Sequence, residues 1–151
     1  MAAALAPLLP QQATVFSSTL RRCSELAIQL AASLRSGNVI HDARLAEMHF
    51  GDWEMRAWEE IPRAQIDAWA ADVTAYRPGD GESVLQVAQR VLSFHEELLS
   101  QHCENAIVVC HAGTIRLLSE CQQRVPPMAM ALNAARTRHA IGYGELTVID
   151  Y

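Results

Sequence analysis

The sequence has little of three features that would assign a protein class directly: basic charge, paired cysteines and long apolar runs. The net charge is −5, which argues against the basic surface typical of proteins that bind nucleic acid or anionic membranes. The four cysteines form no CxxC pair and have no zinc-like spacing with histidine. We therefore expect reduced thiols in a cytoplasmic protein. The apolar stretch 1–10 is too short to cross a bilayer and carries no basic segment, so neither a signal peptide nor a membrane anchor is expected.

What the sequence does have is enough apolar material for one α/β domain over residues 1–151. Half of the residues are apolar, and a chain of this length can bury a sizeable core. Short β-branched runs alternate with helical patterns, which is the order of an α/β sandwich. The predicted strands are 13–16, 39–40, 106–109 and 144–151, and the predicted helices are 19–36, 57–72, 83–102 and one following residue 113.

The run Ala106–Val109 followed by Cys110 and His111 is the most informative stretch. Four apolar residues read as a buried strand of a parallel sheet, and the period then becomes helical, with Thr114 as a candidate cap. His111 would therefore lie at the carboxyl edge of the sheet, where such sheets bind ligands, beside helix-start amides that favour an anion. The alternative is a half-buried histidine that is bonded to a backbone carbonyl.

Arg21 and Arg22 follow the first predicted strand, after a possible cap at Ser17 or Ser18. Cations in the first turn of a helix oppose its macrodipole, so they are slightly unfavourable there unless an anion is bound. The alternative is a solvated surface pair.

Glu47 lies in the irregular segment 42–54, which mixes acids with large aromatics and is typical of a functional loop. Neighbours such as Met48, Phe50 and Trp53 could partly desolvate its carboxyl and keep it protonated, the state that a general acid requires. Without that context, Glu47 would be read as a solvent-facing loop acid.

Four segments together resemble one family. In order and spacing, residues 15–23, 45–54, 78–83 and 108–113 are similar to the motifs of the histidine phosphatase superfamily, also called phosphoglycerate mutase-like. The FGxWE-like loop and the GES loop look most like the alpha-ribazole phosphatase branch and its broad-specificity relatives. The resemblance implies a three-layer sandwich with a mostly parallel sheet flanked by helices, and hydrolysis of a small phosphomonoester through a phosphohistidine.

The resemblance also assigns roles. Arg22 matches the arginine that holds the phosphoryl group, Arg21 a variable position, Glu47 the acid that protonates the leaving oxygen, and His111 the second active-site histidine, which also binds the phosphoryl group. The supporting loop positions would be Ser18, Glu82 and Ala112. No metal or cofactor is implied. The expected partner is a small phosphorylated substrate, as in cobalamin biosynthesis, with no nucleic acid or membrane partner, and a homodimer is an open alternative to a monomer.

One departure from the family is large. The family begins with a strand that ends in Arg-His-Gly, whose histidine is the nucleophile, and the sequence has no such motif. Its one Arg-His pair, in Arg138-His139-Ala140, comes late in the chain and is interpreted as a decoy. We therefore expect a chain that is truncated at its amino terminus, lacks the family's first strand and has little or no turnover. A phosphoglycerate mutase and a non-catalytic anion-binding or interaction module remain as alternatives.

Overall fold

The structure is a computed structural model that describes residues 1–137 and 141–150. In these ranges it contains six α-helices and three β-strands, joined in part by short 3-10 turns. The elements are α1 Ala2–Leu5, β1 Thr14–Ser18, α2 Arg21–Ser33, β2 Ile40–Asp42, α3 Arg63–Ala71, α4 Val84–Ser100, β3 Ala106–Val109, α5 Ala112–Cys121 and α6 Pro127–Arg136. None of the described helices combines the length and the apolar character needed to cross a membrane.

The three strands form a parallel sheet in the order β2-β1-β3. Phe16 of β1 lies opposite Ile40 of β2 on one side and Val108 of β3 on the other. Because β1 is the central strand, four of its five residues are buried. The parallel arrangement brings the carboxyl ends of all three strands to the same edge of the sheet.

The apolar side chains of the strands alternate between two cores, one on each face of the sheet. Val15 and Ile107 pack against α1 and α2, whereas Phe16 and Val108 pack against α4, α5 and α6. The ring of Phe16 meets that of Phe94 edge-on, with 5.5 Å between their centroids. The result is the predicted layering of helices, a parallel sheet and helices.

Several predicted boundaries are wrong for identifiable reasons. The helix predicted at 57–72 is interrupted, because Pro62 lacks a backbone N–H and α3 begins only at Arg63. Thr114 does not cap α5. It lies buried inside that helix and donates to the carbonyl of Ala46 at 3.2 Å, while His111 occupies the N-cap position.

The strand predicted at 144–151 is also wrong where it can be checked. Residues 141–150 contain no strand, and Tyr151 lies outside the described residues. Alternating side chains make a strand only when the backbone finds a partner. Here residues 145–150 and residues 106–108 of β3 line the same cavity of about 570 Å³ and are not paired as strands. Among the described strands, β3 therefore pairs with β1 alone.

Candidate active site

The candidate site is built where β1 and β3 end side by side. Ser18 is the last residue of β1, and α2 begins three residues later at Arg21. His111 follows β3 after a single residue and precedes the first turn of α5. Because the two strands are neighbours and parallel, their following loops open onto the same edge of the sheet.

His111 is buried, with 6% of its surface exposed, and protein groups contact both ring nitrogens. Arg22 Nε donates to Nδ1 at 3.2 Å, and Nε2 lies 2.9 Å from Ser18 Oγ. Because Arg22 can only donate, Nδ1 is the acceptor and the proton of the neutral ring belongs on Nε2, which donates to Ser18. Ser18 Oγ also accepts from the amide of Leu20 at 3.2 Å, which fixes its position.

Burial, with the nearby positive charges of Arg22 and Arg90, lowers the pKa of His111 from 6.5 to about 4. The imidazole is therefore neutral at physiological pH. A bound anion would offset the two cations and favour protonation of the ring. His111 is thus a group whose charge can respond to what occupies the site.

The Glu47 side chain lies against the first turn of α5, next to Gly113. A Cβ placed on Gly113 would come within 2.8 Å of Glu47 Oε1, so the carboxyl occupies the space that a larger residue would fill. The amide of Met48 donates to the same oxygen at 3.1 Å. Glu47 is half-buried, and it lines a cavity of about 840 Å³ together with Arg22 and His111.

The two adjacent arginines have different surroundings. The Arg21 side chain is 89% exposed and pairs with Glu25 at 2.6 Å, as a solvated surface residue would. Arg22 instead turns toward His111. Within residues 1–137 and 141–150, the bond to His111 is the only hydrogen bond of the Arg22 side chain, so both of its Nη groups remain available to an anion.

The supporting positions also lie near the site. Ser18 contacts His111, Ala112 begins α5 and lines the cavity, and Glu82 pairs with Arg90 beside the Glu47 loop. The segment Arg138-His139-Ala140 lies outside the described residues. Among the residues that are described, no three His, Cys, Asp or Glu side chains come together as metal ligands would.

Two residues at the site were missed by the sequence analysis. Cys23 Sγ lies 3.6 Å from His111 Nε2, and burial raises the pKa of this thiol. Its position directly after Arg22 on a helix could have suggested this proximity. Arg90 hydrogen-bonds the carbonyl of Glu47, 43 residues away, and no sequence pattern signals such a contact.

Comparison with known proteins connects this geometry to characterised enzymes. The model of the histidine phosphatase superfamily (branch 1) matches residues 1–151. The adenosylcobalamin/alpha-ribazole phosphatase of Escherichia coli is 35% identical over 120 residues, which are 77% of this chain and 59% of that protein. The glucosyl-3-phosphoglycerate phosphatase of Mycobacterium tuberculosis is 33% identical over 134 residues, 77% of this chain and 56% of that protein.

Solved structures agree with the sequence matches. The crystal structure of the alpha-ribazole phosphatase from Shigella flexneri has a TM-score of 0.74 at 32% identity, covering 85% of this chain and 66% of that one. A mycobacterial glucosyl-3-phosphoglycerate phosphatase in complex with inorganic phosphate has a TM-score of 0.63 at 28% identity, covering 87% and 67%. The chain spans about half the length of the curated relatives that it matches.

Proposed function

This chain belongs to the histidine phosphatase superfamily, and we propose that it binds the phosphoryl group of a small phosphomonoester between Arg22 and His111, with Glu47 as the acid for the leaving oxygen. The observation that carries the proposal is that all three side chains line the same cavity, although they come from distant parts of the chain. A guanidinium, an imidazole and a carboxyl group are the types that phosphoryl transfer requires.

Each group has a part in the proposed chemistry. The free Nη groups of Arg22 can hold two phosphoryl oxygens in a bidentate contact. His111 and the first amides of α5 stabilise the charge on the oxygens in the transition state. When the ester P–O bond breaks, Glu47 gives its proton to the leaving oxygen, which departs as an alcohol.

The nucleophile is the incomplete part of this scheme. In the family, a histidine of an Arg-His-Gly motif forms a P–N bond as the P–O bond breaks, and water then hydrolyses the phosphohistidine. The 151 residues contain no such motif. We therefore propose that this chain by itself binds phosphate and has little or no turnover.

Among small phosphomonoesters, alpha-ribazole phosphate is our first candidate substrate, in cobalamin biosynthesis. The basis is the similarity of the acidic loop and the GES loop, together with the relative from Escherichia coli. Other relatives are named for glucosyl-3-phosphoglycerate and phosphoserine, and these are the substrates to compare with it. The four free cysteines suit a cytoplasmic location.

Binding of orthophosphate to the purified chain tests the phosphate site. We expect orthophosphate to raise the thermal midpoint and to give a measurable Kd by calorimetry. Loss of a charge-assisted contact in Arg22→Ala should weaken binding by about 10-fold or more. Arg21→Ala is the matched control and should bind like the wild type, because Arg21 faces solvent. Equal binding by all three proteins would refute the site.

A phosphatase assay with an aryl phosphate tests the proposal about turnover. We expect background hydrolysis only. Robust hydrolysis that His111→Ala abolishes would contradict the proposal and would require another nucleophile in this chain. The same assay, run with the three natural substrate classes, ranks them by inhibition if binding occurs without turnover.

A further inference from the structure

We propose that Arg90 is a positioning residue for Glu47, acting through the backbone of the acidic loop and with Glu82 as its partner. This inference rests on the proposed function, because it concerns how the acid of that reaction is held in place. Neither Arg90 nor Glu82 lines the cavity that Glu47 shares with Arg22 and His111. Arg90 therefore acts on the site in two indirect ways: its charge lowers the pKa of His111, and its hydrogen bonds hold the loop that carries Glu47.

Arg90 and Glu82 form a bidentate ion pair beside the loop that carries Glu47. Arg90 Nε donates to Glu82 Oε1 at 2.8 Å, and Nη2 donates to Oε2 at 3.0 Å. The two side chains are only 17% and 29% exposed. Bidentate pairs of this kind lose less to solvent screening than surface pairs, so they can fix a geometry.

The other hydrogen bonds of Arg90 and Glu82 are made to the backbone of the loop that carries Glu47. Arg90 donates through Nη1 to the carbonyl of Arg44 and through Nη2 to that of Glu47, the latter at 3.3 Å. Glu82 Oε2 accepts from the amide of His49 at 3.1 Å, and the Glu82 amide donates to the His49 carbonyl at 2.7 Å. The pair thus binds the loop before, at and after Glu47.

These contacts matter because the Glu47 carboxyl occupies a narrow space beside the first turn of α5. It lies where a Cβ on Gly113 would clash, and the Met48 amide is its hydrogen-bond donor. A displacement of the loop backbone would move the carboxyl away from the first turn of α5. In reactions that depend on proton transfer, a shift of this kind removes the acid from reach of the leaving oxygen.

Removal of Arg90 would take one donor each from the carbonyls of Arg44 and Glu47 and two from the Glu82 carboxylate, which would keep the His49 amide. Burial raises the pKa of Glu82, but hydrogen bonds from Arg90 and from the His49 amide outweigh it and hold the pKa below its ordinary value. Without Arg90, a half-buried carboxylate would therefore seek solvent or a proton. In either case the loop that carries Glu47 would lose contacts that hold it in place.

The backbone signals of Gly113 report the position of the Glu47 carboxyl without any turnover. Because Glu47 Oε1 lies 2.8 Å from where a Cβ of Gly113 would be, the chemical shifts of Gly113 should depend on the carboxyl group beside it. Glu47→Gln should change these shifts and so identify the effect. We expect Arg90→Met to change the Gly113 shifts as well, by moving the carboxyl away, while orthophosphate still binds, because the pair makes no hydrogen bond to Arg22 or His111.

The controls separate positioning from general stability. Arg21→Met removes an exposed arginine from a surface pair and should leave the Gly113 shifts unchanged. Arg90→Lys keeps the charge but has no planar guanidinium, so it should restore the wild-type shifts only in part. If Arg90→Met does not fold, Arg90→Lys and Glu82→Gln provide the comparison.

Wild-type Gly113 shifts in Arg90→Met would overturn the proposal, even if the free energy of unfolding decreased, because an ion pair that only stabilises the fold would lower that free energy without moving Glu47. Absence of orthophosphate binding to the wild type would refute the proposed function instead. Since the Gly113 shifts are measured without ligand, the two failures are distinguishable.

Discussion

In the absence of phosphate, acidification should destabilise the protein through His111. The pKa of His111 is lowered from 6.5 to about 4 by burial and by the charges of Arg22 and Arg90. Between these values the unfolded chain binds a proton that the folded chain does not, so this part of the stability is complete above pH 6.5 and is lost as the pH falls toward 4. The shift corresponds to about 3 kcal/mol in the limit, of which about 2 kcal/mol is lost by about pH 5.

Urea denaturation at about pH 7.5 and about pH 5 measures this loss, and His111→Gln isolates it from other titrating groups. Glutamine can still accept from Arg22 and donate to Ser18, but it does not titrate. We expect the loss of unfolding free energy between the two pH values to be smaller in His111→Gln by about 2 kcal/mol. An equal loss in both proteins would show that the imidazole is not held neutral and would refute the reasoning.

Orthophosphate should reduce the same loss in the wild type. An anion beside His111 favours the protonated ring and offsets the two arginines. The loss measured with saturating orthophosphate should then be smaller than the loss without it. This reduction should exceed the one that orthophosphate causes in His111→Gln, where the ligand itself still titrates.

Two further predictions concern the Glu47 position and the core. Gly113→Ala should displace the Glu47 carboxyl, because the new Cβ would lie 2.8 Å from Oε1, while the helix itself gains up to about 1 kcal/mol. The displacement should change the chemical shifts of the Met48 amide, which donates to Oε1. Gly37→Ala, where nothing lies within 4 Å of the added atom, should leave those shifts unchanged. Phe94→Ala should lower the free energy of unfolding by about 3–5 kcal/mol, since its ring is buried against Phe16; a loss below about 1 kcal/mol in urea denaturation would contradict the assigned core.

The parts of the fold that the sequence predicts well are those with local signals. The strand Ala106–Val109 is confirmed because a short apolar run changes there to a helical period within a few residues. The helix predicted at 83–102 is confirmed and spans Val84–Ser100; its N-cap is Ser83, whose side chain accepts from the Gln86 amide. Predictions failed where a distant partner decides, as at 144–151, where alternation without a paired neighbour gives no strand in the described residues.

The residues of the candidate site also differ in whether a local signal in the sequence predicts them. His111 and Glu47 lie in stretches whose local composition is unusual, so each could be singled out before its surroundings were known. Arg90 lies on a regular amphipathic helix, and its partners on the loop are backbone carbonyls, which carry no signature in the side-chain sequence. The residues proposed to bind the substrate could be singled out from the sequence, but Arg90, whose contacts with the loop are to its backbone, required the folded geometry.

Arg21 and Arg22 show the limit of the local argument most clearly. Consecutive residues on an α-helix point about 100° apart, so one side chain can face the sheet edge while the other faces solvent. The dipole argument applies to both arginines and cannot choose between them. The choice depends on the orientation of α2, which is set by Cys23, Ala27 and Leu30 packing onto the sheet. That orientation turns Arg22 toward His111 and leaves Arg21 to pair with Glu25 one turn later. An unequal effect of Arg22→Ala and Arg21→Ala on phosphate binding therefore tests the packing of α2 as well as the site.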